Sequence, residues 1–236
     1  FKAPADCRWI STDSEPRNLR DIVTGGMTYL HDMVLPKMRH ARCVRPQNTR
    51  ARLVSLSAEI VTRLEEEGVE LIRDGSFLAV VGDDEYQVIQ AADRLARTAT
   101  WDGSTINAGD LYEQLTSNAR ESRPVVDGMP QDVPVPPLHE PPANAALTHA
   151  ARYDKPYIMH GSIGPSAAAA EVDRGGGLKI WTHSQGIQPL KTSISEALGI
   201  SPDNVLIQHV PGAGCYGHNG ADDAAFDAAL VALALP

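Results

Sequence analysis

One glutamine and one cluster of glycines carry most of the chemistry this sequence offers. Gln185 stands in the run Ser184-Gln185-Gly186, and further on comes Gly212-Ala213-Gly214-Cys215-Tyr216-Gly217, followed by His218. A glutamine amide both donates and accepts hydrogen bonds. Glycines at 212, 214, 217 and 220 let the main chain come close to a ligand and aim N–H donors at it. Tyr216 reads as a cavity-lining ring with a polar tip or as a core aromatic. Cys215 reads as a reactive thiol or as a small residue packed in a loop, Gln188 as a second amide or a helix-start residue. Several ligands fit such loops, and so does a plain tight connection. There is no Gly-x-Gly-x-x-Gly before a helix and no Gly-Lys-Ser/Thr, and Gly161-Ser162-Ile163-Gly164 is not a nucleophile elbow. His160, His183, His209 and His218 match no zinc spacing. Cys7, Cys43 and Cys215 contain no Cys-x-x-Cys pair, so this chain's thiols alone hold neither zinc nor an iron–sulfur cluster.

The elements that must position these loops read as one unit repeated. An apolar run, Leu178–Thr182, enters the Gln185 loop, and a helix follows over about 189–198. Pro189 suits its first turn, Gly199 its stop, and Ser201-Pro202-Asp203 a turn after it. A second apolar run, Val205–Val210, enters the glycine loop. A second helix starts near Ala221, capped by Asp222 and Asp223. Two loops between strand ends and helix starts can converge on one ligand.

Upstream, residues 1–21 read as an irregular arm. Strands are expected over Met27–Asp32 and Arg39–Arg45 around a Leu35-Pro36-Lys37 turn, then a helix over Ser57–Glu67 stopped by Gly68. Val69–Arg73 and Ser76–Gly82 flank Asp74-Gly75, a two-residue hairpin signal. Asp83 and Asp84 cap a helix to about Arg97 with Val88, Ala91, Ala92 and Leu95 inward. This β-β-α-β-β-α order makes an α+β module within a domain over 22–121. Prolines at 124, 130, 134, 136, 137, 141 and 142 mark 122–143 as a connector, where proteolysis is expected to free a folded piece of about residues 1–120. A second domain occupies 144–236, with Ala167–Val172 open between strand and helix. Its apolar faces, Val205–Val210 and Phe226–Leu235, have no evident layer to bury them, so a longer polypeptide or a separate chain is expected to complete it.

At 236 residues the chain has ample length for a core, and 42% hydrophobic with 22% charged residues is ordinary globular composition. A net charge of −9 with 5% aromatics argues against a nucleic-acid surface. No apolar run reaches the roughly 18 residues of a membrane span. Separated cysteines favour a cytoplasmic setting over a periplasmic or membrane-associated one.

Two blocks carry a family resemblance. The first has Tyr29 and Asp32, Leu35-Pro36, His40-Ala41-Arg42, Arg45-Pro46, the valine-rich hairpin and an alanine-rich helix ending near Trp101. It resembles the hammerhead domain of molybdopterin-binding subunits in the xanthine dehydrogenase / aldehyde oxidase family. The second block, Ser184-Gln185-Gly186 with Gly212–Gly217, resembles that family's glutamine loop and its Gly-Gly-x-Phe-Gly loop. Either Cys215 or Tyr216 takes the Phe place, and His218-Asn219 replaces a basic pair. GSIGPS at 161–166 and GHNGADDAA at 217–225 look closest to nicotinate-dehydrogenase-like and isoquinoline-oxidoreductase-like members.

The resemblance implies an α+β fold, an α/β-hammerhead domain followed by the first part of a molybdenum-cofactor-binding domain, in an N-terminal portion of a longer subunit. It implies molybdopterin in its cytosine dinucleotide form with molybdenum held by the pterin. Gln185 would be the catalytic contact, and Gln185, Gly186, Gly212, Ala213, Gly214, Cys215, Tyr216 and Gly217 the cofactor-binding residues. Tyr216 and His218 would line the substrate. The implied activity is hydroxylation of an N-heteroaromatic compound or an aldehyde, with water as oxygen source. Electrons would pass to iron–sulfur clusters on another subunit and on to a flavin or cytochrome acceptor. The general-base glutamate would lie outside these residues. The rival reading from another class is a non-catalytic assembly module.

Overall fold

The computed structural model describes residues 2–10, 12, 13, 15–103, 109, 111–117, 121–137, 139–151, 153–217 and 223–235. Contacts group the chain into two units, one of residues 1–104 with 160–236 and one of residues 105–159.

The larger unit opens with the arm and a short helix, α1 (Leu19–Thr24). The strand expected at Met27–Asp32 does not form. Leu30–Asp32 is a single 3-10 turn, because the Asp32 carboxylate accepts the Tyr29 backbone N–H at 3.2 Å. Such local side-chain bonds compete with strand pairing. The Leu30 N–H is instead taken by the Pro211 carbonyl at 2.8 Å. After the Leu35–Met38 turn come β1 (His40–Cys43), β2 (Leu53–Ser55), α2 (Ala58–Glu66), β3 (Glu70–Asp74), β4 (Phe77–Gly82), α3 (Glu85–Thr98) and β5 (Thr100–Trp101). The β-β-α-β-β-α order therefore survives with β2 in place of the lost strand.

β1, β4 and β3 form an antiparallel sheet in that order. In the hairpin Asp74 faces Phe77, so the two loop residues are Gly75 and Ser76, one step beyond the expected pair. Gly75 has φ +57°, the left-handed conformation such a turn demands. Asp84 caps α3 by accepting the Gln87 N–H at 2.7 Å. Leu78 and Val80 on one face of β4 pack with Leu64, Val88, Ala91 and Leu95 from α2 and α3. Ala79 and Val81 point the other way, into a second core with Ile72. Both faces are covered, which is why Phe77–Val81 is apolar throughout rather than alternating.

The smaller unit contains α4 (Leu111–Ser117) and a hairpin of β6 (Val125–Val126) with β7 (Met129–Pro130). Val125, Val126 and Met129 are exposed.

The larger unit resumes with β8 (Ala168–Val172), β9 (Leu178–Thr182), α5 (Ile187–Leu198), β10 (Val205–His209) and α6 (Asp223–Ala234). β8 settles the alternative left open by the alanine run. It pairs antiparallel with β9, and its small side chains serve both faces, Ala168 and Ala170 on one and Ala169 on the other. Pairing and two-sided burial override the helical preference of alanine. β9 and β10 are parallel, Val205 opposite Leu178 through His209 opposite Thr182, joined by α5. α5 begins at Ile187, so Pro189 still falls in its first turn. Gly199 ends it at φ +65° with its N–H on the Glu196 carbonyl. Asp222 lies outside the described residues.

α6 is apolar over most of its circumference, Asp227 interrupting it, as a helix buried on several sides must be. Ala225 and Ala229, fully buried, pack with Leu178, Ile180, Val205, Ile207 and Ile194. Val231 and Leu235 pack with Ile72, Ala79 and Val81 of the first sheet. Asp227 adds an ion pair to Arg45. The apolar faces expected to lack a covering layer thus largely cover each other, with Leu206 and Leu233 left exposed, and α6 joins the N-terminal and C-terminal modules into one body. With α6 packed on both modules, cleavage between 122 and 143 is expected to leave them associated rather than to free residues 1–120. After limited proteolysis within 105–159, the two fragments should elute together in native size exclusion and separate only in denaturant. Val231→Ala should cost roughly 2 kcal/mol by urea unfolding. Asp227→Ala, whose Arg45 partner is half-exposed, should cost under about 1 kcal/mol.

Candidate functional site

Parallel strands deliver their following loops to the same edge of the sheet, where ligands of open α/β sheets bind. Here the Thr182 carbonyl accepts the Val210 N–H at 2.9 Å, so the Gln185 loop and the glycine loop depart side by side. A third segment, 161–167, leads into β8 at the same edge, because Ala168 pairs with Thr182. The 3-10 turn at Leu30–Asp32 closes against them through Leu30 N–H to Pro211 and through a core of Leu30, Trp181 and Val210.

Gln185 is exposed, and among the described residues its side-chain amide has no hydrogen-bond partner. The residues before it are the reverse: Thr182, His183 and Ser184 are buried at 0%, 6% and 3% exposure. The loop is thus anchored at its root and open at Gln185. Gly186 precedes the first residue of α5, and its N–H donates to Ser184 Oγ at 3.2 Å. Gln188 lies on the first turn of α5.

In the glycine loop, Gly212 lies flat against the His183 ring: a Cβ there would sit 2.4 Å from Cγ and 2.5 Å from Nδ1. No residue with a side chain fits without displacing the imidazole. Ala213 packs onto Gly164 of the third segment, where an added Cβ would come within 2.8 Å of the Ala213 Cβ. Cys215 is half-buried and outside any disulfide. Tyr216 is 66% exposed at φ +54°, so the core-aromatic reading fails. A non-glycine residue held in that conformation stores about 1 kcal/mol or more of strain, a pattern concentrated at functional sites. Its ring lies over Gly214. Gly217, at φ +95°, faces His160, whose Nε2 would be 3.4 Å from an added Cβ. His218 lies outside the described residues.

The structure adds His31, and it gives His183 and Ser162, set aside above as metal ligand and nucleophile, a place at the loops. His183 Nε2 accepts the Ala167 backbone N–H at 3.2 Å. His31 Nε2 lies 3.1 Å from the Pro165 carbonyl, and the two rings are 6.4 Å apart between centroids. One signal was available: His183 shares the strand parity of Trp181 and so points to the face opposite Ile180. Ser162 Oγ, in the third segment, is buried with no hydrogen-bond partner among the described residues. His209, on β10 opposite Thr182, is exposed.

The arrangement offers an open amide, a loop of close-approaching main chain and an anchored histidine floor, which suits binding and orienting a polar ligand rather than nucleophilic attack. The Gly164–Ala213 contact gives a direct check. Gly164→Ala should lower thermal stability through the clash, and adding Ala213→Gly should restore most of the loss. Additive losses in the double variant would mean that the two segments do not meet.

No family model matches the chain. A nicotinate dehydrogenase subunit of Pseudomonas putida is 30% identical over 247 aligned residues, covering all of this chain. The chain spans about a fifth (20%) of that relative's length. Quinoline 2-oxidoreductase from Pseudomonas putida 86 has a TM-score of 0.61 at 15% identity, over 86% of this chain and 30% of its own. Aldehyde oxidoreductase from Desulfovibrio gigas has a TM-score of 0.67 at 18% identity, over 99% of this chain and 30% of its own. The Cu,Mo-CO dehydrogenase has a TM-score of 0.62 at 14% identity, over 95% of this chain and 34% of its own. The mixed helix-and-sheet fold of this chain is therefore the fold of part of these oxidoreductases, and the sequence is similar along its whole length to a nicotinate dehydrogenase subunit.

Proposed function

We propose that this chain is the N-terminal portion of the molybdopterin-binding subunit of a molybdenum hydroxylase, with a hammerhead-type domain over 22–121, a connector over 122–143 and the first part of the cofactor domain over 144–236. Its substrate is a nicotinate-like N-heteroaromatic compound or an aldehyde, oxidised with water as the oxygen source. The observation that carries the reading is Gln185, an exposed amide at the open end of β9 beside a glycine loop whose main chain can approach a ligand closely. The similarity to a nicotinate dehydrogenase subunit over the whole chain supports it.

The residues fit a bulky polar cofactor at this edge. Gln185 and Ser162 offer hydrogen-bonding groups that nothing among the described residues uses. When bound, molybdopterin, in its cytosine dinucleotide form, supplies the two-electron oxidation. The chain's own groups orient and polarise. Gln185 can donate to or accept from an oxygen-type metal ligand, a contact of the kind whose loss costs about tenfold or more in activity. The main chain of Gly212–Gly217 and the Gly186 turn shape the cofactor's bed. Tyr216, exposed and strained, would line the substrate, the role the family resemblance also gives His218. Residues beyond this chain would supply most cofactor contacts and the general base. A partner subunit carries the iron–sulfur clusters, and a flavin or cytochrome takes the electrons, in a cytoplasmic assembly.

In the intact complex, molybdenum at about one per copy with pterin fluorescence after oxidation is the expected result. Absence of both would leave a non-catalytic assembly module. Gln185→Ala should lower turnover at least about tenfold with molybdenum content near normal. Unchanged turnover with normal metal would remove Gln185 from the site.

A further inference from the structure

We propose that His183 is the positioning residue that sets the spacing between the Gln185 loop and the glycine loop, acting as a neutral imidazole with His31 behind it. Its geometry stands by itself. Its consequence for catalysis rests on the function proposed above.

Three segments that carry no regular pairing with one another meet on this ring. The main chain of Ala167 donates to Nε2 at 3.2 Å, tying down the segment that leads into β8. Because Nε2 accepts, the ring proton of the neutral form sits on Nδ1. Gly212 lies against the Cβ–Cγ–Nδ1 edge so closely that not even a methyl group fits between. The ring plane therefore fixes how near the glycine loop can come. His183 itself is two residues before Gln185 and only 6% exposed, so its placement is transmitted through Ser184, also buried, to the exposed amide. His31 supports the same segment one step earlier, with Nε2 on the Pro165 carbonyl and its ring 6.4 Å from that of His183. A larger residue at 212 or a ring lacking the Nε2 acceptor would each break one side of the clamp. The first moves the glycine loop outward; the second releases 163–167.

Hydrogen exchange on the full-length protein in its assembly separates positioning from general stability. His183→Leu keeps bulk and removes the acceptor, whereas His183→Gln extends an amide oxygen to about the depth of Nε2. In His183→Leu, peptides covering 163–168 and 210–217 should together exchange at least about tenfold faster, while those in β4 and α3 stay unchanged. His183→Gln should return 163–168 close to wild-type protection. Should His183→Leu not accumulate, His183→Asn, too short to reach Ala167, takes its place against His183→Gln. Uniformly faster exchange throughout the larger unit, equal behaviour of Gln and Leu (or Asn) variants, or unchanged loops would each overturn the proposal. Turnover distinguishes the two readings. Loop release with at least about tenfold lower kcat, in a complex whose wild type holds molybdenum, supports both, and loop release where the wild-type complex itself holds no molybdenum leaves His183 in its role while removing the hydroxylase.

Discussion

Everything in the larger unit depends on α6 being buried on several sides at once. Its alanines at 225 and 229 lie within the core of the β10-β9-β8 sheet, and Val231 and Leu235 enter the core behind β4. Small residues on one stripe let the helix approach one sheet closely while larger ones fill the space towards the other. Burial of apolar surface, at about 25 cal/mol per Å², outweighs what the half-exposed Arg45–Asp227 pair contributes at the rim. The consequence is topological: segments far apart in sequence become one support, and residues 105–159 leave and return without dividing it.

That support makes the site geometry reproducible. The β9–α5–β10 crossover places two loop roots side by side, and the opposite face of the same sheet carries Trp181 and Val210 against Leu30. With the roots of the loops held by buried Thr182, His183 and Ser184, the exposed tips at Gln185 and Tyr216 are open to a ligand. Rigid roots with open tips are what preorganised binding needs. The imidazoles at 183 and 31 lie between the loop segments, and in the role proposed for His183 a change there would reach the loops without touching the ligand directly.

The chain spans about a fifth of its nicotinate dehydrogenase relative, and in the function we propose the described loops form one side of the site. Exposed Gln185 and Tyr216 present polar groups outward from a closed hydrophobic body. In the function we propose, the substrate and the larger share of the cofactor meet residues beyond these, and this chain contributes orientation rather than the reacting group.

The sequence by itself determined the local elements. The Gly75 hairpin, the Asp84 cap, the Gly199 helix stop and the repeated strand–loop–helix of 178–234 depend on a few residues close in the chain, whose backbone preferences act within a turn. Gln185 and the glycine loop were legible because strand ends and glycine spacing mark loops. Tertiary structure decided the rest. An alanine run at 168–170 has a helical preference that only pairing with β9 overrides, and Met27–Asp32 looks extended until Asp32 captures its own backbone and Pro211 takes Leu30. The destination of the apolar faces of α6 was hidden for the same reason: a helix apolar over most of its surface announces burial but does not name its partners. His183 and Gly212 meet across the parallel β9/β10 pairing, and the need for glycine at 212 is a steric fact about a ring placed there by the fold, invisible to spacing alone.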